Sequence, residues 1–174
     1  MIVTADHGEH LGDHVLFFHG CSLYRQLVQV PLVIVDNRVV PPGRVVAEPV
    51  SLRDVPATVV HLLGLGPNDA FPGQSLTRLW RRGDQAVSPL ADPLLMETEK
   101  PDLLTNQGRE PAAKGPMQSL VAGGMHYIRS ADWLEELYSL KSDPDERVNM
   151  AGSPLAAEVL TGFRSALRAM PGRQ

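Results

Sequence analysis

Short apolar runs separated by polar loops mark the first half of the chain. Residues 1–4 predict a short buried strand, and the β-branched run over residues 30–35 predicts a stronger one. Between them, residues 6–20 form a polar, histidine-rich loop, and residues 22–26 can form a helical turn. A strand that runs directly into a polar cluster at its carboxyl end is typical of α/β proteins.

A capped amphipathic helix is predicted after Ser51. Asp54 lies three residues on and Pro56 falls in the first turn, as in many helix starts. The predicted inner face of this helix comprises Val55, Val59, Leu62 and Leu63. Residues 45–50 can form a short strand before it, and a short helical stretch is predicted through residues 79–80.

The second half of the chain has the pattern of a small antiparallel sheet. Residues 94–98 predict a strand, and residues 118–122 and 126–129 predict a hairpin around Gly123-Gly124. Residues 136–140 can add a further strand. Residues 155–170 predict an amphipathic helix whose inner face carries Leu160, Phe163 and Leu167.

These patterns predict an α/β chain in two parts. Residues 1–85 are expected to belong to an α/β sheet, and residues 86–174 to form a small α+β subdomain with a C-terminal helix. Residues 99–116 are rich in proline, glycine and charge and predict a mobile loop. Because the chain opens within a strand and has no secretory leader, we expect it to be the later portion of a longer protein, and any targeting signal to lie upstream.

Charge and cysteine content exclude several function classes. The 174 residues include 16 Lys and Arg against 20 Asp and Glu, a net charge of -4 without a basic tract. Nucleic acid and anionic membranes are therefore poor candidates as partners. A single cysteine, Cys21, excludes an internal disulfide framework. The apolar runs are too short to span a membrane, and the sequence leaves the compartment and the oligomeric state open.

The stretch Asp6-His7-Gly8-Glu9 carries the strongest chemical signal. A carboxylate and an imidazole side by side at the end of a strand can bind one divalent ion, and Gly8 lets the backbone turn tightly behind them. Hydrogen bonds within a solvated turn would explain an isolated histidine. The Asp-His pair after a β-branched run favours a metal.

Several segments together resemble the carboxyl-terminal half of the sulfatase family, in the alkaline-phosphatase-like superfamily. They are VTADHGE at 3–9, LGDH at 11–14, VPLVI at 30–34, PVSLRDV at 49–55, Gly64-Leu65, ELYSLKSDPDE at 136–146 and NMA at 149–151. Only residues 99–116 are left unmatched. The resemblance implies a partial alkaline-phosphatase-like sheet followed by a small antiparallel sheet with a C-terminal helix.

The resemblance also implies roles for individual residues. Asp6 and His7 match two ligands of the family's divalent ion, usually Ca²⁺; since Ca²⁺ prefers oxygen, Mg²⁺, Mn²⁺ and Zn²⁺ are alternatives. His19 stands 13 positions after Asp6, where many members carry a lysine that touches the sulfate, and it could assist the leaving group. His14 matches a recurrent histidine, with an orienting role and a structural role both open. Glu9 and His10 are weaker candidates, expected to be solvated or to support the site indirectly.

The family's nucleophile has no counterpart in this sequence. It is a formylglycine made from Cys or Ser in a Cys-x-Pro-x-Arg motif that precedes the Asp-His pair. Cys21-Ser22-Leu23-Tyr24-Arg25 has leucine where proline or alanine is required, and it follows the pair. Cys21 is therefore interpreted as a small, partly buried residue, with a reactive thiol as the alternative.

Other conspicuous side chains are interpreted as structural. His61 is expected on the polar side of its helix, and His126 as solvated or structural. Trp80 and Trp133 are expected to be packing residues. Asp143 and Asp145 are expected to form turns.

The leading functional interpretation is the metal-site and C-terminal portion of a sulfuric ester hydrolase that is inactive alone. In the complete enzyme its substrate would be a sulfated small molecule or glycan. One alternative is a phosphoethanolamine transferase or phosphodiesterase of the same superfamily, where a histidine near the offset of His19 binds zinc. The other is a non-catalytic truncated fragment.

Overall fold

The computed structural model describes residues 1–66, 70–81, 93–102 and 108–170. As far as it is described, the chain divides into two compact units, Met1–Asp6 with Pro31–Val87, and His7–Val30 with Ser88–Gln174. The predicted boundary between residues 85 and 86 lies outside the described residues.

The strands, in chain order, are β1 (Ile2–Thr4), β2 (His10–Leu11), β3 (Phe17–Phe18), β4 (Leu32–Ile34), β5 (Leu94–Thr98), β6 (Met117–Ala122), β7 (Met125–Arg129) and β8 (Glu135–Ser139). The helices are α1 (Arg25–Val28), α2 (Asp54–Leu62), α3 (Arg78–Arg81) and α4 (Ala157–Ala169).

In the first unit, β1 and β4 form an antiparallel pair in which Val3 lies opposite Val33. Both valines are about half exposed, so the prediction that the first strand is buried is wrong for this chain. The physical reason is that, among the described residues, no helix or second sheet covers the face that carries Val3 and Val33. The strand predicted over residues 45–50 is also absent from the described structure, since Val45 and its neighbours pair with no other strand.

Helix α2 buries a polar face instead of the predicted apolar one. Its buried side chains are Asp54 and Thr58, whereas Leu63, just after the helix, is 65% exposed. The Thr58 hydroxyl accepts the Leu76 amide at 2.8 Å, and Asp54 Oδ1 accepts the Gln74 amide at 2.8 Å. The face is polar because it satisfies the backbone of the segment leading to α3.

The second unit is built on the sheet β5-β6-β7-β8, in which every neighbouring pair is antiparallel. The predicted hairpin is confirmed, and so is the final helix. One apolar cluster joins sheet and helix, with Tyr127 and Phe163 stacked at 5.5 Å and the predicted Leu160 and Leu167 also buried. Of the loop predicted over residues 99–116, residues 103–107 lie outside the described residues, and Pro111–Lys114 form a 3-10 turn.

A second apolar cluster brings the histidine-rich segment onto this sheet. Leu23 packs with Met117, Ile128 and Tyr138, all buried. The Ala112 amide donates to the Cys21 carbonyl at 3.0 Å, which ties the same segment to the 3-10 turn. The segment over residues 7–30 therefore belongs with the sheet, although it lies between β1 and β4 in sequence.

Trp133 is not the packing residue that the sequence predicts. It is 76% exposed and follows β7 in the turn before β8. Asp143, in contrast, is a turn former, since its carboxylate accepts the amides of Arg147 and Val148 at 3.0 and 2.9 Å. Among the described helices, none is long and apolar enough to cross a membrane.

Candidate metal centre

A hairpin of two short strands, β2 and β3, positions the candidate ligands. In the β2–β3 ladder, His10 pairs with Phe18 and Leu11 with Phe17. Continuing this register by one pair brings Glu9 opposite His19, and Glu9 Oε2 lies 2.9 Å from His19 Nδ1. Since a carboxylate only accepts, the Nδ1 atom of His19 carries the shared proton. Residues ten positions apart thus become neighbours through strand pairing.

His7 joins them through the turn at Gly8. Its ring stacks on that of His19, with centroids 4.2 Å apart. His7 Nδ1 donates to the Gly8 carbonyl at 2.8 Å, so Nε2 is the nitrogen with the lone pair. The Gly8 amide in turn donates to the Leu27 carbonyl at 2.8 Å, and a Cβ at Gly8 would lie 1.9 Å from the Gln26 carbonyl oxygen. Only glycine allows this approach, which fixes His7 beside the hairpin.

His7, Glu9 and His19 form an exposed cluster whose ligand atoms all lie within 4.8 Å of one another. Two imidazoles and one carboxylate fit a divalent transition metal such as Zn²⁺, which takes nitrogen and oxygen ligands. The set fits Ca²⁺ less well, because Ca²⁺ takes six to eight oxygens. The hydrogen bond from His7 to Gly8 is of the kind that orients a metal-binding histidine.

Asp6 and His14 lie outside this cluster. Asp6 is exposed and ends the first segment of the other unit, and His7 begins the segment that belongs with the sheet. His14 stacks on Tyr24 with centroids 3.8 Å apart and meets the edge of His10 at 6.3 Å. Metal binding by Asp6 with His7, and a catalytic role of His14, stay predictions.

His10 is fully buried, so of its two expected roles solvation is wrong, and indirect support of the site stays a prediction. Its Nε2 lies 2.8 Å from the Ser22 hydroxyl. Burial lowers the pKa of His10, and the neighbouring His14 lowers it further. His10 is therefore a neutral side chain that holds the hairpin against residue 22.

Sequence reasoning missed a buried polar network behind the hairpin. Glu136 Oε2 accepts the hydroxyls of Tyr24, at 3.0 Å, and of Tyr138. Burial and the Glu136 carboxylate raise the pKa of both tyrosines, which keeps them protonated donors. Glu136 and Tyr138 lie within the segment ELYSLKSDPDE, whose only signal in the sequence is its resemblance to the sulfatase family.

Cys21 is buried, and this burial together with the Glu110 carboxylate raises the pKa of its thiol. A thiol kept in its neutral form is a poor nucleophile. The predicted burial of Cys21 is confirmed.

Comparisons with known proteins show similarity to sulfatases. The sulfatase family model matches residues 1–65. The chain is 26% identical over 167 residues to choline-sulfatase of Rhizobium meliloti (strain 1021), a match covering 94% of this chain and 30% of that protein. It is 25% identical over 173 residues to the Delta 4,5-hexuronate-2-O-sulfatase of Bacteroides thetaiotaomicron, covering 96% and 33%. Among solved structures, phosphonate monoester hydrolase from Silicibacter pomeroyi superposes with a TM-score of 0.73 and 27% identity, covering 96% of this chain and 33% of that one.

These matches confirm the resemblance to the sulfatase family. The mixed α/β fold, with its antiparallel sheets and C-terminal helix, agrees with part of an alkaline-phosphatase-like fold. The chain spans roughly a third of the length of the proteins that it matches. The proteins that it is similar to are sulfatases and a phosphonate monoester hydrolase, all of them hydrolases.

Proposed function

We propose that this chain forms the metal-binding portion of a sulfuric ester hydrolase, with Asp6 and His7 as metal ligands and His19 beside the leaving group. The supporting observation is the stack of His7 on His19 at 4.2 Å, in a segment that matches the sulfatase family model. The residue expected to hold the ion and the residue expected to act on the ester are thus neighbours.

Each residue of the proposed site has a separate chemical role. A divalent ion bound here would polarise the sulfate as a Lewis acid. Glu9 orients His19 through Nδ1, as a carboxylate orients the imidazole in a catalytic triad. The other nitrogen of a protonated His19, Nε2, can then donate a proton to the leaving-group oxygen.

The substrate of the complete enzyme is proposed to be a sulfated small molecule or a glycan. The Bacteroides relative is named as a hexuronate-2-O-sulfatase, which supports a sulfated sugar. The chain alone is expected to be inactive. Hydrolysis needs an activated nucleophile, and the sequence contains no Cys-x-Pro-x-Arg motif while Cys21 is buried.

A second candidate is a zinc-dependent phosphoryl-transfer relative, in which His19 is itself a metal ligand. The convergence of His7, Glu9 and His19 within 4.8 Å supports it. The structural match to a phosphonate monoester hydrolase at 27% identity supports it as well. The two candidates differ in what His19 does, and this difference can be measured.

The test is a calorimetric titration of the 174-residue chain with Ca²⁺ and with Zn²⁺. In the first candidate, Asp6→Ala and His7→Ala weaken metal binding about tenfold or more, whereas His19→Lys changes it little. In the second, His19→Lys abolishes Zn²⁺ binding. His61→Lys, at an exposed histidine of α2, is the matched control and should leave metal binding unchanged. A wild-type chain that binds neither ion would overturn both candidates.

A further inference from the structure

A cavity of about 380 Å³ opens at one end of the four-stranded sheet. It lies where β5 ends, β6 begins and the chain leaves β7, and its volume is in the range of roughly 300–1,000 Å³ typical of small-molecule sites. Its lining includes Glu97, Glu99, Gln118, Arg129 and Trp133. We call it the Trp133 pocket. None of its lining residues belongs to the candidate metal centre.

A row of hydrogen-bonded polar side chains crosses the floor of the pocket. Glu97, Gln118 and Arg129 lie in register on β5, β6 and β7. Gln118 Nε2 donates to Glu97 Oε1 at 2.9 Å, and Arg129 Nη2 donates to Gln118 Oε1 at 2.5 Å. Each side chain is thus held by its neighbour, which lowers the entropy that ordering them for a ligand would cost.

An exposed indole forms one wall. Trp133 is 76% exposed, and the Arg129 guanidinium lies 5.2 Å from its ring centroid. Its φ is 63°, a left-handed conformation that is unusual for a bulky residue. The turn is held by the Trp133 amide, which donates to the Ser130 carbonyl at 3.0 Å. The protein therefore sustains both strain and an exposed aromatic ring at this position, as functional sites do.

We propose that the Trp133 pocket binds a saccharide through an uncharged pyranose ring. Such a ring has a face of C–H groups that packs on an indole and a rim of hydroxyls that both donate and accept. Glu97 accepts hydrogen bonds, Arg129 donates them and Gln118 does both, so the row can serve successive hydroxyls.

The charge of the pocket selects among sugars. The lining contains two carboxylates, of Glu97 and Glu99, and one guanidinium, of Arg129. The resulting excess of negative charge disfavours sulfated or carboxylated rings. This inference is independent of the proposed function, because it rests on the sheet alone.

Fluorescence tests the proposal directly, because the sequence has two tryptophans. Trp80→Phe leaves Trp133 as the sole indole of the chain. Titration of this variant with cellobiose should give a saturable fluorescence change, with a dissociation constant of about 1 mM or below. Glucose 6-sulfate should bind at least about tenfold more weakly, and the absence or presence of Zn²⁺ should not alter either affinity.

Two further variants separate binding from folding. Trp133→Ala should weaken cellobiose binding about tenfold or more by calorimetry while the melting curve stays cooperative. Gln118→Glu adds a third carboxylate to the pocket, next to Glu97, and should also weaken binding. A Trp80→Phe chain that shows no saturable response to cellobiose up to its solubility limit would overturn the proposal. Tighter binding of glucose 6-sulfate than of cellobiose would overturn it equally.

Discussion

The carboxylate of Glu146 accepts a hydrogen bond from His126 Nδ1 at 2.5 Å, and both side chains are fully buried. The other oxygen of Glu146 accepts the backbone amide of Arg25 at 2.8 Å. One carboxylate thereby joins strand β7, the turn after β8 and the start of α1. Of the two interpretations of His126 left open by the sequence, the structure supports the structural one.

Replacing this carboxylate should be costly. Glu146→Ala leaves the buried His126 Nδ1 and the partly buried Arg25 amide without these bonds, so we expect the free energy of unfolding to fall by about 3–5 kcal/mol. Urea denaturation monitored by circular dichroism measures the change. The control is Asp145→Ala, which removes an exposed partner of Arg147 and should cost at most about 1 kcal/mol. Similar losses in the two variants would contradict the role assigned to Glu146.

Gly8→Ala should disrupt the hairpin segment. The added Cβ would lie 1.9 Å from the Gln26 carbonyl oxygen, and backbone cannot yield as a flexible side chain can. We expect a loss of stability of about 2–4 kcal/mol, together with weaker metal binding because His7 is displaced. Gly152→Ala is the matched control, since nothing lies within 4 Å of its added Cβ. A Gly8→Ala chain as stable as Gly152→Ala would show that the close approach is wrong.

Phe163→Ala should remove the centre of the sheet–helix core. Phe163 is buried and stacks on Tyr127 at 5.5 Å, so the substitution leaves a cavity that costs about 3–5 kcal/mol. Thermal melts and urea titrations would both report it. Leu155→Ala, at a residue 92% exposed, should stay within about 0.5 kcal/mol of wild type.

Acid should weaken one specific ion pair. The Arg164 guanidinium, by hydrogen bonding, lowers the pKa of Glu135 from 4.5 to about 2, against the opposing effect of burial. The folded state therefore prefers the ionised carboxylate, and its contribution is complete above about pH 4.5 and is lost as the pH falls towards 2. Glu135→Gln should cost roughly 1–2 kcal/mol at neutral pH, after allowance for solvent screening. The difference between wild type and variant should shrink between about pH 5 and pH 2. A difference that is constant over this range would contradict the assignment.

The isolated chain should not turn over sulfate esters. An assay of the purified 174-residue protein with an aryl sulfate and Ca²⁺ should give no multiple turnovers above the Asp6→Ala control, because we find no activated nucleophile in the described part of the chain. Turnover that disappears in Asp6→Ala would reveal a nucleophile near this residue and defeat the prediction.

Local patterns in the sequence were sufficient for most elements of the sheet unit. The hairpin around Gly123-Gly124 and the inner face of α4 follow from period-2 and period-3.6 patterns, whose buried sides meet within one compact unit. The same reasoning failed for α2, where Asp54 and Thr58 are buried to satisfy a distant backbone segment. Hydropathy records whether a side chain is apolar, and carries no information on which amides need an acceptor.

In the candidate site, too, some features follow from the sequence and others only from the tertiary structure. The sequence by itself determined the family resemblance and predicted Asp6, His7 and His19 as site residues, because both inferences rest on residue types in a fixed order along the chain. Only the tertiary structure decided that Glu9 is the partner of His19, and that Glu146 anchors the segment beneath them. Strand register brings together Glu9 and His19, which are 10 positions apart, and the packing of a segment on the sheet brings together Arg25 and Glu146, which are 121 positions apart. Such pairings leave no periodic pattern in a single sequence.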